Sequence, residues 1–221
     1  MQFEGVIFDW DETLAATKDV AVLSFKHALE CFDVDVSAGF IKKQMGKSAR
    51  NILIDVLKES KTDFDDKLLD CLLDKRVESE IELSDRVSLY DGAVDLLDSL
   101  FGKVTLGVAT MNDEAVIEHM LESKRLRGYF DIVLSADDVK KSKPDPQIFL
   151  CFAGKMKILP KACVVLEDSI FGVKAAKAAG MSCIGVASGS YSKEELQRGG
   201  SDVVVDCLLE KKKILDFVFQ K

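Results

Sequence analysis

Apolar residues in this chain fall into short continuous runs and into helical stripes, and the two kinds alternate over most of its length. Val6-Ile7-Phe8, Val104 to Ala109, Ile132-Val133-Leu134, Val164-Val165-Leu166 and Ile184 to Ala187 are runs of strand length. Between them, Ala115, Val116, Met120 and Leu121 share one helical face, as do Val173, Ala176, Ala179 and, less cleanly, Ala178. Continuous apolar strands separated by helices predict a parallel sheet covered on both faces.

One stretch breaks the alternation. From about Thr17 to Leu83 only helical periodicity is visible: Val22, Phe25, Leu29 and Phe32 step by three and four, as do Leu69, Leu72, Leu73 and Val77. Ile52, Leu53, Val56 and Leu57 make a third stripe. An all-helical block between the first strand and the rest of an α/β domain reads as an insertion. The expected division is a core of residues 1–15 and 86–221 and a helical cap of residues 16–85.

In open parallel sheets ligands bind at the carboxyl ends of the strands, so what each run delivers as it ends matters most. The first run ends in Asp9-Trp10-Asp11-Glu12-Thr13, the second in Ala109-Thr110-Met111-Asn112, and the one beginning at Cys163 in Glu167-Asp168-Ser169. Lys143, in Lys141-Ser142-Lys143-Pro144-Asp145-Pro146, lies in a loop able to reach the same rim. Period-two geometry puts Asp9 and Asp11 on one side. Two anions that close repel unless a cation offsets them, and oxygen-only ligands favour magnesium. The candidate ligands are Asp9, Asp11, Asp168 and Glu167. Asp9 can present an oxygen to phosphorus while Thr110 and Lys143 hold the phosphoryl oxygens. Singly, each residue has a structural reading. A strand-end Asp caps turns, Ser169 and Asn112 suit helix N-caps, and a Lys before Pro is commonly solvated. Taken jointly, in this order at strand ends, they make the chemical reading the stronger one.

Composition narrows the partners. In 221 residues, 48% hydrophobic and 31% charged, the formal net charge is −8 and no useful basic stretch interrupts it. That balance disfavours nucleic acid and anionic membrane surfaces. The apolar runs are too short to span a bilayer. Met1-Gln2-Phe3-Glu4-Gly5 lacks the pattern of a secretory signal. Six cysteines at 31, 71, 151, 163, 183 and 207 include no close pair, and reduced, buried thiols fit better than a disulfide framework. A cytoplasmic protein is expected, with monomer as the default state. His27 and His119 fall in helical patterns and are given no role.

Phe8-Asp9-Trp10-Asp11-Glu12-Thr13-Leu14 resembles the first motif of the haloacid-dehalogenase-like hydrolase superfamily. Thr110 matches its second-motif hydroxyl, Lys143 its third-motif lysine, and Glu167-Asp168 its acidic fourth motif. The resemblance runs from residue 3 to about residue 190. It implies a Rossmann-like core with a mobile cap, magnesium, and an aspartyl-phosphate intermediate at Asp9. It also implies that Asp11 is the general acid/base and lends a backbone carbonyl to the metal. Residues 168–181 and the helical insertion resemble the branch of sugar-phosphate phosphatases and β-phosphoglucomutase. Gly46-Lys47-Ser48-Ala49-Arg50 is similar to that branch's substrate-specificity loop, making Gly46, Lys47 and Arg50 substrate-binding candidates beside Thr110, Met111 and Lys143. Ser48 has an equally good reading as an N-cap. Most members carry Gly where this chain has Glu12, and glutamate tolerates positive φ poorly. The expectation is that Glu12 points to solvent.

The chain is therefore expected to be an α/β enzyme that hydrolyses a small phosphorylated metabolite in two steps. A phosphomutase sharing the covalent step is the nearest alternative. A phospho-receiver domain is the alternative from another class, although its acceptor Asp would end a later strand and it needs no helical insertion.

Overall fold

The computed structural model describes residues 3–44 and 48–220. The chain divides into two compact units, residues 1–16 with 89–221, and residues 17–88. It opens with β1 (Gly5–Phe8) and the short β2 (Ala15–Ala16), and then runs through α1 (Lys18–Glu30), α2 (Ala38–Gln44), α3 (Ala49–Glu59) and α4 (Asp66–Glu82). After β3 (Ser88–Leu89) come α5 (Ala93–Leu100), β4 (Thr105–Ala109), α6 (Glu114–Ser123), β5 (Ile132–Leu134) and α7 (Gln147–Met156). The chain closes with β6 (Cys163–Glu167), α8 (Ile170–Ala178), β7 (Ser182–Val186), α9 (Lys193–Gly199), β8 (Val203–Val205) and α10 (Lys211–Phe219).

In the first unit six strands form one sheet in the order β5-β4-β1-β6-β7-β8, with neighbouring strands parallel. Burial tracks position in the sheet: β1 and β6 at the centre are buried throughout, whereas β5 and β8 at the edges are only partly so. Apolar residues from strands and helices, among them Ile7, Val165, Phe149, Phe152 and Val173, share one core. The sheet is the expected α/β architecture, with β8 added beyond the five strands legible in the pattern. The helical faces differ in detail. In α6 the buried set is Val116, Ile117, Met120 and Leu121 with Ala115 exposed, and in α8 Ala175 is buried and Ala178 exposed.

The second unit has a core of its own. Val22, Phe25 and Leu29 of α1 pack with Ile52, Leu53, Val56 and Leu57 of α3 and with Leu69 and Leu72 of α4. Two members of the expected stripes depart from it: Phe32 is exposed and Val77 half-buried. The α1-facing side of α4 buries polar groups instead. Arg76 pairs with Glu80, which also accepts from Ser24 Oγ at 3.3 Å, and the Arg76 guanidinium lies 5.5 Å from the Phe25 ring centroid. His27 Nδ1 lies 3.0 Å from Ser79 Oγ. Ser48 is the N-cap of α3, accepting from the Asn51 N–H at 3.4 Å.

All six cysteines are free. Only Cys163 and Cys183 are buried, and burial lifts both thiols, Cys163 to about 11. Cys31 and Cys71 are exposed, against the expectation of general burial. Among the described residues no helix is long and apolar enough to cross a membrane.

Candidate active site

Strand order reverses around β1, which pairs with β4 on one side and β6 on the other, so a crevice is expected at the carboxyl ends of these three strands. Register decides what meets there. Phe8 stands opposite Val108 and Leu166, which places Asp9 level with Ala109 and Glu167. Those three residues are the ones that Lys143 joins. Its Nζ donates to Asp9 Oδ1 at 2.7 Å, to Glu167 Oε1 at 2.8 Å and to the Ala109 carbonyl at 2.9 Å. All three ammonium protons are thereby used, and the Phe149 ring lies 5.2 Å away.

Two carboxylates and one ammonium are buried together here. Burial works against the Lys143 cation, but the charges of Asp9 and Glu167 outweigh it and hold the ammonium protonated well above the ordinary lysine range. The Asp9 carboxyl is pushed up to about 8, chiefly by burial, with Lys143 opposing and Glu167 and Asp11 adding to the rise. Asp168 is likewise lifted by burial and by the charges of Glu167 and Asp9. One lysine thus stands among several carboxylates on this rim.

Asp11 is held by Thr110. The Thr110 backbone N–H donates to the Leu134 carbonyl, fixing the residue at the end of β4, and its Oγ donates to Asp11 Oδ2 at 2.8 Å. The same oxygen accepts from the Asn112 N–H at 3.0 Å. The hydroxyl's single proton thus rests on Asp11 rather than facing an open phosphate site. Met111 packs its side chain against the core, and the residue preceding α6 is Asp113, not Asn112. Asn112 instead accepts from the Asp113 N–H through its own side chain.

Glu167 is tied into the same network. It is 1% exposed, its Oε1 is taken by Lys143, and its Oε2 accepts from both the N–H and the hydroxyl of Ser169. With both oxygens engaged it is placed to orient Lys143. Ser169 in turn caps α8 by accepting from the Gly172 N–H at 3.0 Å. A Cβ on Gly172 would stand 1.7 Å from Glu167 Oε1, so the carboxylate lies directly against the first turn of α8. Asp168 lies as closely against Gly189, where a Cβ would come 1.8 Å from its Oδ2.

Glu12 is half-buried and does not point freely to solvent. Its φ is +60°, its Oε2 accepts from Tyr90 Oη at 2.8 Å, and its carbonyl accepts from Ser188 Oγ. Burial, that hydrogen bond and the charges of Glu12 and Asp168 hold the Tyr90 phenol above its ordinary range, so it remains a donor. Pattern reading missed Tyr90 and Ser188. Nothing near either of them in sequence marks a partner 78 or 176 residues away.

Of the substrate-binding candidates in the helical unit, Gly46 and Lys47 lie outside the described residues. Arg50 bonds to Asp66 and Asp70 of α4.

Among the described residues no three His, Cys, Asp or Glu side chains stand as a ready-made cage for a metal ion. The donor chemistry nonetheless fits a hard divalent cation. Asp9, Asp11 and Asp168 offer only oxygen, and the repulsion from neighbouring carboxylates, which adds to the effect of burial in lifting Asp9 and Asp168, is what such an ion would relieve.

Residues 6–186 match the haloacid dehalogenase-like hydrolase family. A fructose-1-phosphate phosphatase from Escherichia coli is 32% identical over 84% of this chain and 97% of its own length. A phosphorylated carbohydrates phosphatase from Thermotoga maritima is 32% identical over 82% of this chain and 83% of its own. Among solved structures, CbbY from Rhodobacter sphaeroides in complex with phosphate superposes with a TM-score of 0.84 at 25% identity, covering 94% of this chain and 96% of that one.

Proposed function

This chain belongs to the haloacid dehalogenase-like hydrolases, and from that premise we propose that it is a magnesium-dependent phosphatase that hydrolyses a small phosphate monoester, a sugar phosphate or similar metabolite, through an aspartyl phosphate on Asp9. The observation that carries the reading is the buried Lys143 held between Asp9, Glu167 and the Ala109 carbonyl, with Asp11 fixed beside it by Thr110. Two relatives named as phosphatases of phosphorylated sugars support the substrate class.

In the first step a carboxylate oxygen of Asp9 forms a bond to phosphorus as the ester P–O bond breaks. Asp11, as the acid, gives its proton to the departing oxygen. In the second step the Asp11 carboxylate takes a proton from water. The water oxygen bonds to phosphorus, and Asp9 is released with inorganic phosphate. Lys143 orients the Asp9 carboxylate throughout and places a fixed positive charge where the phosphoryl oxygens gather. Glu167 keeps Lys143 in place, and Thr110 keeps Asp11 turned towards the site. Magnesium, held by Asp9, Asp11 and Asp168, would supply the remaining positive charge against the phosphoryl oxygens. We further propose that the helical unit, residues 17–88, sets which ester is accepted.

The direct test is hydrolysis of an aryl phosphate. Turnover is expected with magnesium, and none with excess chelator or with Asp9→Asn. A full rate in chelator would reject the metal, and undiminished turnover by Asp9→Asn would reject the covalent route.

A further inference from the structure

Glu12 occupies left-handed backbone, with φ at +60°, immediately after Asp11. An L side chain there is strained, and such strain persists only where the surroundings fix it. Three bonds do so here. The Glu12 N–H donates to the Ala15 carbonyl at 2.8 Å, its carbonyl accepts from Ser188 Oγ, and its carboxylate accepts from Tyr90 Oη at 2.8 Å. Tyr90 is itself anchored at two points. Its N–H donates to the Leu14 carbonyl at 3.0 Å, and its Oη lies 3.4 Å from the Ser188 carbonyl. Ser188 directly precedes Gly189, the residue against which Asp168 Oδ2 rests.

These contacts connect two loops that carry different parts of the site. One follows β1 and bears Asp9 and Asp11, and the other follows β7 and seats Asp168. A glycine at position 12 would adopt the same dihedral without strain and keep the backbone bonds, but it could not take the bond from Tyr90. The glutamate costs conformational energy and adds the side-chain link.

We propose that Glu12, Tyr90 and Ser188 form a clasp that sets the spacing between Asp11 and Asp168, with Glu12 acting as a positioning residue for magnesium and for the Asp11 carboxylate. The proposal rests on the phosphatase reading for its effect on rate, but not for its effect on metal binding. Partners that orient ligating carboxylates are typically worth about 10- to 100-fold in metal affinity or activity.

The test compares Glu12→Gly, Tyr90→Phe and Glu12→Gln with the natural chain. Magnesium affinity is measured by calorimetry without ester, steady-state kinetics with an aryl phosphate at saturating magnesium, and amide exchange across residues 9–16. Glu12→Gly and Tyr90→Phe should weaken magnesium binding by roughly 10-fold and lower kcat by a similar factor. KM for the ester should stay within about twofold, because no bond to the ester is removed. Both should exchange faster across residues 9–16 while the melting temperature of Glu12→Gly does not fall. Glu12→Gln retains an acceptor for Tyr90 and should restore all three readouts to within about threefold. If Glu12→Gln is as impaired as Glu12→Gly, the charge matters and the clasp does not, and the proposal is overturned. Unchanged magnesium affinity in Tyr90→Phe overturns it as well, as does a natural chain that binds no magnesium. If the expected order of magnesium affinities holds in a chain that hydrolyses no phosphate ester, the clasp stands and the phosphatase reading fails.

Discussion

The Lys143 ammonium gives its three protons to three acceptors, and one of these is the Asp9 carboxylate, so Asp9 is oriented before any substrate arrives. Asp11 is held differently, with the Thr110 hydroxyl donating to its Oδ2. That contrast predicts how the two carboxylates fail. Asp9→Asn should abolish turnover, since an amide is a poor nucleophile. Asp11→Asn should keep the first step on an aryl phosphate, whose good leaving group scarcely needs a proton, and lose the second, which needs a base for water. General acid–base assistance is worth roughly 10²- to 10⁴-fold, so rapid-quench kinetics should show a burst of about one equivalent followed by a stall. Intact mass should show phosphate on the stalled chain. Slow release without a burst would mean that Asp11 acts chiefly through the metal or the loop. Asp168 supports a second residue-scale prediction. Its carboxyl is lifted by burial and by Glu167 and Asp9, so its ionised form destabilises the metal-free fold at neutral pH. Asp168→Asn should raise the metal-free melting temperature by a few degrees, for about 1 kcal/mol, while abolishing the further rise that magnesium gives. A mutant that melts lower without metal, or still responds fully to magnesium, would contradict this. Lys143 lies in a loop, whereas Asp9, Asp11, Thr110 and Asp168 were legible in sequence because each lies just past the end of an apolar run. The destination of Glu12 was not, because it depends on Tyr90, 78 residues further on.

At the level of elements, the site is made by three strand ends and one helix start. Parallel register brings Asp9, Ala109 and Glu167 level, and α8 begins so close behind β6 that Glu167 lies against Gly172. Gly172→Ala should therefore displace Glu167 and loosen Lys143. The expected cost is about 1–3 kcal/mol in stability, read as a lower melting temperature. The kcat loss should be at least about 10-fold, because misplacing a catalytic group by an ångström is expensive. Gly172→Ala with normal kcat would show that Lys143 does not depend on Glu167. The main strands and the longer helices could be read from periodicity, since burial on both faces leaves continuous apolar runs. Less legible were β8, a run of three valines at the sheet edge that is only partly buried, and α2, which buries only Ile41. The polar face of α4 was invisible for a different reason. Arg76 and Glu80 are buried as a pair with Ser24 and Phe25, and apolar periodicity cannot register a charge whose burial depends on a partner.

At the scale of the whole molecule, each unit encloses a hydrophobic cluster of its own. One is drawn entirely from residues within 1–16 and 89–221, and the other entirely from within 17–88. A chain built this way should survive loss of the insertion, because the cluster around Ile7, Phe149 and Val165 keeps all its members. Replacing residues 17–88 by a short flexible linker should leave a soluble protein that unfolds cooperatively, with strand and helix signals of the sheet unit intact. Every residue to which the proposed chemistry is assigned, from Asp9 to Asp168, lies outside the deleted segment. The shortened chain should therefore still release phosphate from a small aryl ester in the presence of magnesium. The rate should be lower, since excluding water and fixing the ester are expected to contribute to kcat. What should disappear is choice. Across a panel of phosphorylated sugars, the ratio of the best to the worst kcat/KM should collapse towards unity, because the residues proposed to discriminate among them are gone. Full retention of the natural chain's preferences would place specificity in the sheet unit. A shortened chain that folds yet shows no aryl phosphatase activity would mean that the helical unit supplies a group the chemistry itself requires.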